Sequence, residues 1–200
     1  MKKLLIVSFL FFFSSSILAD QKDSRLNELF EKLYLSSSNI ESSIIISDIW
    51  EIWSIIENPN VQQLYNKAKL QMDNGEFQSA IQLFTKVIHI NPEFAEAWNK
   101  RATTYFLMGD VDKSISDIEK TLILEPRHFG ALDGLAEIYL LKKDLIKAAA
   151  TYEKILKINS VEMIDELRNK YIFENALVNL KNNELIADGI KIDFFKESFG

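Results

Sequence analysis

The sequence contains no cysteine, which excludes disulfide bonds and a lipid-modified N-terminal cysteine. It also has only six glycines and three prolines among its 200 residues. An all-β protein needs frequent turns, and glycine and proline are among the usual turn residues. The scarcity of both therefore favours helices before any periodicity is considered.

Clusters of basic residues are lacking as well. The formal net charge is −6, and acidic and basic side chains are interspersed along the chain. Nucleic-acid binding depends on clustered lysine and arginine that neutralise phosphates, so no nucleic-acid partner is expected. With 48% hydrophobic residues, the chain is apolar enough for one well-buried domain.

The first nineteen residues differ in composition from the rest. Lys2 and Lys3 precede a run over 4–13 that is apolar except for Ser8, and Ala19 ends a short segment that contains serines. Such a run makes about 15 Å of helix, against roughly 30 Å of hydrocarbon in a bilayer. The pattern predicts a signal peptide over 1–19 with cleavage between Ala19 and Asp20. The alternative is an uncleaved N-terminus that anchors the protein in the membrane.

The rest of the chain contains an internal repeat. A shift of 34 residues superimposes small residues on small ones and large apolar residues on one another. The aligned sets include Ala68, Ala102 and Ala136; Leu64, Trp98 and Leu132; and Phe84, Ile118 and Tyr152. The three units cover 61–94, 95–128 and 129–160.

Each unit is predicted to be a pair of helices, because apolar residues recur at spacings of three and four, as in Ile81, Phe84 and Ile88. The first two units have a central glycine, which can end a helix in the left-handed conformation, and a closing proline, which cannot continue one. The aligned alanines let the two helices approach to about 8–10 Å.

With these residues at these offsets, the chain resembles the tetratricopeptide repeat family over about half its length. The segments 95–103 and 125–132 are further similar to small exported members of the family from alphaproteobacteria. Lys67 and Arg101 depart from the family pattern, which commonly has leucine there, and the third unit lacks both glycine and proline. The resemblance implies an all-α, right-handed α-solenoid of three helix pairs and, with the export signal, a periplasmic scaffold that binds proteins without catalysis.

Segments on both sides of the repeats are expected to cap them, since a repeat unit cannot bury its faces alone. Residues 20–60 are predicted to form an N-terminal capping helical hairpin, 161–180 a C-terminal capping helix and 181–200 an apolar tail. In the hairpin, Trp50 and Trp53 lie three residues apart beside isoleucines. This spacing favours burial in a core over a carbohydrate or peptide-binding surface.

Residues for catalysis are few. The sequence has two histidines and no glycine-rich phosphate loop, so we expect no enzyme activity, no cofactor and no metal site. His89, between two isoleucines, is interpreted as a packed residue at a helix end. His128 is interpreted as a surface residue in the turn between two units rather than a metal ligand.

The resemblance also implies a concave groove, lined by the first helix of each unit, that receives a peptide or helix. By resemblance, the groove residues are Tyr65, Lys69, Met72, Asn99, Lys100, Thr103, Phe106, Asp133, Glu137 and Leu140. The lysines lie toward the first unit and the acids toward the third, which favours a partner of mixed charge. Most of the basic residues with which the family clamps acidic chaperone tails are missing.

Other interpretations of these faces remain open. The groove residues are alternatively ordinary solvated helix faces. The protein is alternatively a self-associating structural protein or a peripheral membrane protein that binds through its apolar tail, and, more remotely, an enzyme.

Overall fold

The computed structural model describes residues 20–159, and over this range it consists of helices joined by short turns, with no strand. The helices are α1 (Arg25–Leu35), α2 (Asn39–Trp53), α3 (Pro59–Asp73), α4 (Phe77–Ile90), α5 (Ala95–Leu107), α6 (Val111–Leu124), α7 (Phe129–Leu141) and α8 (Leu145–Leu156). The signal peptide predicted over 1–19, the capping helix over 161–180 and the tail over 181–200 lie outside the described residues.

Helices α3 to α8 form three consecutive pairs, which confirms the predicted α-solenoid. The two helices of each pair pack on one another, and successive pairs pack through α4 against α5 and through α6 against α7. Ala68, Ala102 and Ala136 are at most 1% exposed, as expected for short side chains where two helices come close. Large residues such as Phe84 fill the space beside them.

The turn inside each unit has the same geometry in all three pairs. Gly75 and Gly109 adopt φ of +78° and +79°, and Lys143 takes the equivalent position with φ of +58°. In each case the amide of the next residue bonds to the carbonyl five residues earlier and closes the helix, as in the 2.8 Å bond from the Asp144 amide to the Tyr139 carbonyl. The third unit therefore keeps the turn although it has lost the glycine.

Arg101 connects three helices at a position where the family commonly has leucine. Its guanidinium binds the Asp117 carboxylate of α6 through two bonds of 2.7 and 2.8 Å, and it donates a third bond of 2.9 Å to Thr85 of α4. It also lies 4.9 Å from the ring centre of Trp98. A two-pronged pair of this kind, with both side chains largely buried, is among the stronger polar contacts in proteins.

The N-terminal hairpin, which consists of α1 and α2, has its own apolar cluster. The cluster comprises Leu26, Phe30, Leu33, Ile45, Ile49, Ile52 and Trp53. Phe129 at the start of α7 and Ile158 after α8 pack against it. The hairpin thus contacts the third unit, although it directly precedes the first unit in sequence.

No helix within residues 20–159 is long and apolar enough to cross a membrane.

Replacement of Lys143 by glycine should stabilise the protein. A left-handed φ is strained for a residue with a Cβ atom and unstrained for glycine, so we expect Lys143→Gly to raise the free energy of unfolding by about 0.5–1 kcal/mol. The matched control is Lys142→Gly, where φ is −76° and glycine should lower stability by a similar amount. Urea denaturation measures both, and a destabilising Lys143→Gly would contradict the strain argument.

Candidate functional site

Four of the ten predicted groove residues lie close together on α3 and α5. Tyr65 of α3 and Asn99 of α5 are buried, and Lys100 is half-buried beside them. Lys69 lies one turn further along α3, with its Nζ atom 5.8 Å from the centre of the Tyr65 ring. Tyr65, Asn99 and Lys100 contact Glu96, a neighbour that is not among the ten.

The other six residues do not form one open surface. Met72, Phe106 and Leu140 are partly buried, and each packs into an apolar cluster of the solenoid rather than standing free in a groove. Thr103 is exposed and donates a hydrogen bond to the Asn99 carbonyl oxygen. Asp133 and Glu137 are intermediate in exposure.

The Glu96 carboxylate is 1% exposed and binds groups from three parts of the repeats. Its oxygens lie 3.1 Å from Lys100 Nζ, 2.9 Å from Asn99 Nδ2 and 3.0 Å from His128 Nε2. The Tyr65 hydroxyl donates a longer bond of 3.4 Å. A buried charge is stable only when it is paired and hydrogen-bonded, and this carboxylate meets both conditions.

These contacts decide how Glu96 titrates. Burial favours the neutral acid, but the Lys100 charge and the hydrogen bonds from His128 and Asn99 outweigh it and hold the pKa of Glu96 below its ordinary value of 4.5. Burial is also the main cause that raises the pKa of Tyr65 well above 10, with the Glu96 charge adding to it. Glu96 is therefore ionised and Tyr65 neutral at pH 7.

His128 is fully buried, so its interpretation as a surface residue was wrong. It caps the start of α7, where its Nδ1 atom accepts a 3.1 Å hydrogen bond from the Ala131 amide. Because Nδ1 is an acceptor, the proton lies on Nε2, which donates to Glu96. The 34-residue shift contained the signal, since it places His128 on Phe94, which is also fully buried.

His89 is exposed on α4, which corrects its interpretation as a packed residue. The two isoleucines that flank it diverge in burial: Ile88 points into the core and Ile90 is 57% exposed. Apolar neighbours in sequence do not place a helical residue in the core, because adjacent positions face different directions.

The tryptophans of α2 lie against the beginning of the third unit. Trp53 stacks on His128 with ring centres 4.2 Å apart and planes 7° apart, and Trp50 meets His128 and Phe129 edge-on at 5.4 and 5.2 Å. Lys100 Nζ lies 5.0 Å from the centre of the Trp50 ring, within the range of a cation–π contact. We call the surface formed by Lys100, His128, Phe129 and Gly130 the tryptophan-binding surface.

Gly130 provides the space for Trp50. A Cβ atom at this position would lie 2.7 Å from Trp50 Cη2, which is closer than van der Waals contact allows. Gly134, one turn later on α7, differs, because a Cβ atom there would meet only Ile118 Cδ1 at an ordinary 3.8 Å. By resemblance, both glycines stand where some family members have clamp residues, but in this structure only Gly130 makes room for an indole.

Polar contacts hold the edge of the N-terminal hairpin to the loops between units. Arg127 packs 4.1 Å from the centre of the Phe30 ring and donates a 3.1 Å bond to Asn27. Before α1, Gln21 bonds to the backbone of Glu93 and Ala95. The hairpin therefore lies along the starts of α5 and α7, and it fills the end of the predicted groove that contains Glu96 and Asn99.

Within residues 20–159, no group of three or more histidine, aspartate or glutamate side chains is placed to hold a metal ion. What the arrangement can do is bind apolar and aromatic side chains at the tryptophan-binding surface.

Three tetratricopeptide repeat family models match the sequence, over residues 63–94, 83–116 and 100–161, and the chain belongs to the tetratricopeptide repeat family. A TPR repeat-containing protein of Rhizobium etli is 37% identical over 114 residues, which cover 57% of this chain and 56% of that protein. The Hsp70-Hsp90 organizing protein of Triticum aestivum is 27% identical over 95 residues, which cover 46% of this chain and 16% of that protein. The chain thus spans only part of the length of these relatives.

Solved structures give the same fold. The first TPR domain of Spaghetti (RPAP3), bound to an HSP90 peptide, has a TM-score of 0.54 at 22% identity and covers 62% of this chain and 97% of that chain. The Sgt2 TPR domain from Aspergillus fumigatus has a TM-score of 0.55 at 22% identity, with 67% and 90% covered. Family and fold are typical of scaffolds that bind other proteins without catalysis.

Glu96→Gln should lower the free energy of unfolding by an amount that depends on pH. The folded-state pKa of Glu96 is lowered, so its contribution is present above pH 4.5 and is lost as the pH falls through the folded-state pKa. We expect Glu96→Gln to lower the free energy of unfolding by about 1–3 kcal/mol at pH 7, and by clearly less at pH 3. Urea denaturation at both pH values measures the difference.

The control for this experiment is Glu119→Gln, which removes a carboxylate from an exposed position on α6 and should change stability by less than about 0.5 kcal/mol. An equal loss for Glu96→Gln at pH 7 and pH 3 would show that the Glu96 charge contributes nothing.

Proposed function

We propose that this protein is an exported periplasmic scaffold that binds a protein partner along the part of the groove beyond the N-terminal hairpin. The observation that carries the proposal is a change in exposure along the first helices. Glu96 and Asn99, near the start of α5, are buried, whereas Thr103, one turn further on, is exposed. Lys69 of α3 is half-buried at the same level as Thr103.

The charges at this level specify the partner further. Lys100 is paired with Glu96 at 3.1 Å. Of the two lysines among the predicted groove residues, Lys69 is therefore the one that can bind a ligand. Asp133 and Glu137 lie on α7 at the other side. A peptide or helix with a carboxylate near Lys69 complements this pattern.

The HSP90 peptide bound by the Spaghetti domain supports a peptide as the class of ligand, since the folds are alike. An acidic chaperone tail is a poor match for this chain. Lys100 is already neutralised by Glu96, and Gly130 and Gly134 offer no side chain to a carboxylate.

Self-association is the second candidate. The end of α1 and the beginning of α2 carry large apolar residues in solvent: Tyr34, Leu35, Ile40 and Ile44 are 59%, 70%, 77% and 59% exposed. Apolar patches of this kind often mark contact surfaces. A defined oligomer in sedimentation that dissociates on Ile40→Lys would favour this candidate over the groove.

Export predicts a defined N-terminus for the mature protein. If the segment 1–19 is a signal peptide, mass spectrometry of the protein from a periplasmic fraction should give a chain that begins at Asp20. A chain that retains residues 1–19 and sediments with membranes would instead support the anchored alternative.

New negative charges at Lys69 and Thr103 should weaken partner binding. We expect residues 20–200 to capture a specific partner from cell-envelope extract, and Lys69→Glu combined with Thr103→Glu to reduce capture about tenfold or more, because two new acids repel the partner's carboxylate. The control is Lys86→Glu on α4, which is exposed away from the first helices. A partner retained by the groove variant would contradict binding at this level.

A further inference from the structure

We propose that the tryptophan-binding surface is itself a helix-binding site, that α2 is its resident ligand, and that a partner helix with two aromatic residues three positions apart displaces α2 from it. This inference rests on the proposed function and names the class of partner. The site it assigns lies at the beginning of α5 and α7, next to the more open level that contains Lys69 and Thr103.

The resident helix binds in the way that an external helix would. α2 presents Trp50 and Trp53, one turn apart on the same face, to rings and a lysine of the second and third units. Helices that bind in grooves use the same few anchors at spacings of three or four residues. A partner with aromatic side chains at this spacing would make the same contacts.

His128, at the centre of the surface, does not depend on α2 for its position. His128 is fixed from two sides by the Ala131 amide and the Glu96 carboxylate, and Glu96 is fixed by Lys100 and Asn99. All of these bonds lie within the repeats. The His128 ring is therefore preorganised for stacking and keeps its position when the hairpin leaves, whereas Phe129 packs against the hairpin cluster itself.

The resident ligand fits imperfectly. The Nε1 atom of Trp53 is buried and has no hydrogen-bond partner within residues 20–159, and a buried donor without an acceptor opposes binding. A phenylalanine in its place would stack on His128 without this penalty. The chain thus carries a ligand that a better-matched helix can outcompete.

The hairpin can leave without disrupting the repeats. Helix α3 has its own N-cap in Asn58, whose side chain accepts bonds from the Asn60 and Val61 amides. Two contacts at the hairpin edge, Lys22 with Glu93 and Arg127 with Asn27, are exposed, and exposed polar contacts contribute little. The bonds of Gln21 to Glu93 and Ala95 are more buried and must break when the hairpin leaves.

The first test uses the two helical glycines of α7 in residues 20–200 with Trp98→Phe, so that Trp50 and Trp53 are the remaining fluorophores. Both Gly130→Ala and Gly134→Ala favour the helix equally, but only Gly130→Ala places a Cβ atom against Trp50. We expect tryptophan emission to shift to longer wavelength for Gly130→Ala and to stay unchanged for Gly134→Ala. Equal emission from the two variants would overturn the proposal.

The second test supplies the ligand from outside. The probe is a fluorescein-labelled synthetic peptide of residues 39–57 with Ile40→Lys and Ile44→Lys, two exposed positions, for solubility. Fluorescence anisotropy should show binding to Trp50→Ala/Trp53→Ala that is at least about tenfold tighter than to the unsubstituted chain, because the resident ligand no longer competes. Addition of Gly130→Ala should remove this gain, and addition of Gly134→Ala should not.

The outcomes separate this inference from the proposed function. Equal peptide binding by the tryptophan variant and the unsubstituted chain, or no binding by either, would overturn the inference. A partner captured from the envelope equally well by Gly130→Ala and Gly134→Ala would overturn it too while leaving the proposed function intact. Peptide binding that is lost with Gly130→Ala and kept with Gly134→Ala, with no partner captured from the envelope, would support the site and contradict the proposed function.

Discussion

The indole of Trp53 lies flat on the imidazole of His128, and that imidazole is held by the buried carboxylate of Glu96. Each of these three side chains is held in place by another group of the repeats. Glu96 is kept ionised by Lys100 and by the hydrogen bonds it accepts, His128 is kept in one tautomer by Glu96 and the Ala131 amide, and Trp53 gains a rigid ring to stack on. The stack joins the N-terminal hairpin to units that follow it much later in sequence.

This interaction determines which part of the groove is accessible to a partner. In a simple stack of helix pairs, the first helices would offer one continuous concave face. Here the hairpin fills the end of that face near Glu96, and Thr103 marks the level where exposure begins. The same contact therefore stabilises the fold and limits which part of the groove a partner meets first.

The repeats were predictable from the sequence, because a 34-residue period and helical spacing are local patterns that need no knowledge of distant contacts. The position of the hairpin was not, since Trp50 and Gly130 are far apart in sequence and only the folded chain brings them together. His128 lies between these cases: its alignment with the buried Phe94 signals an interior position, while its place in an inter-unit turn suggests the opposite. The groove residues taken from the family resemblance divide into buried and exposed sets for the same reason. The resemblance describes a groove without the hairpin that covers one end of it here.

Amide hydrogen exchange in the unsubstituted chain and in Trp53→Ala tests most directly whether this stack holds the hairpin on the repeats. If it does, α1 and α2 lose protection in the variant while α3 to α8 keep theirs, because the repeats have their own clusters and caps. Unchanged protection of α1 and α2 would show that other contacts hold the hairpin. An equal loss of protection across α3 to α8 would show that hairpin and repeats are one cooperative unit, which contradicts a displaceable hairpin.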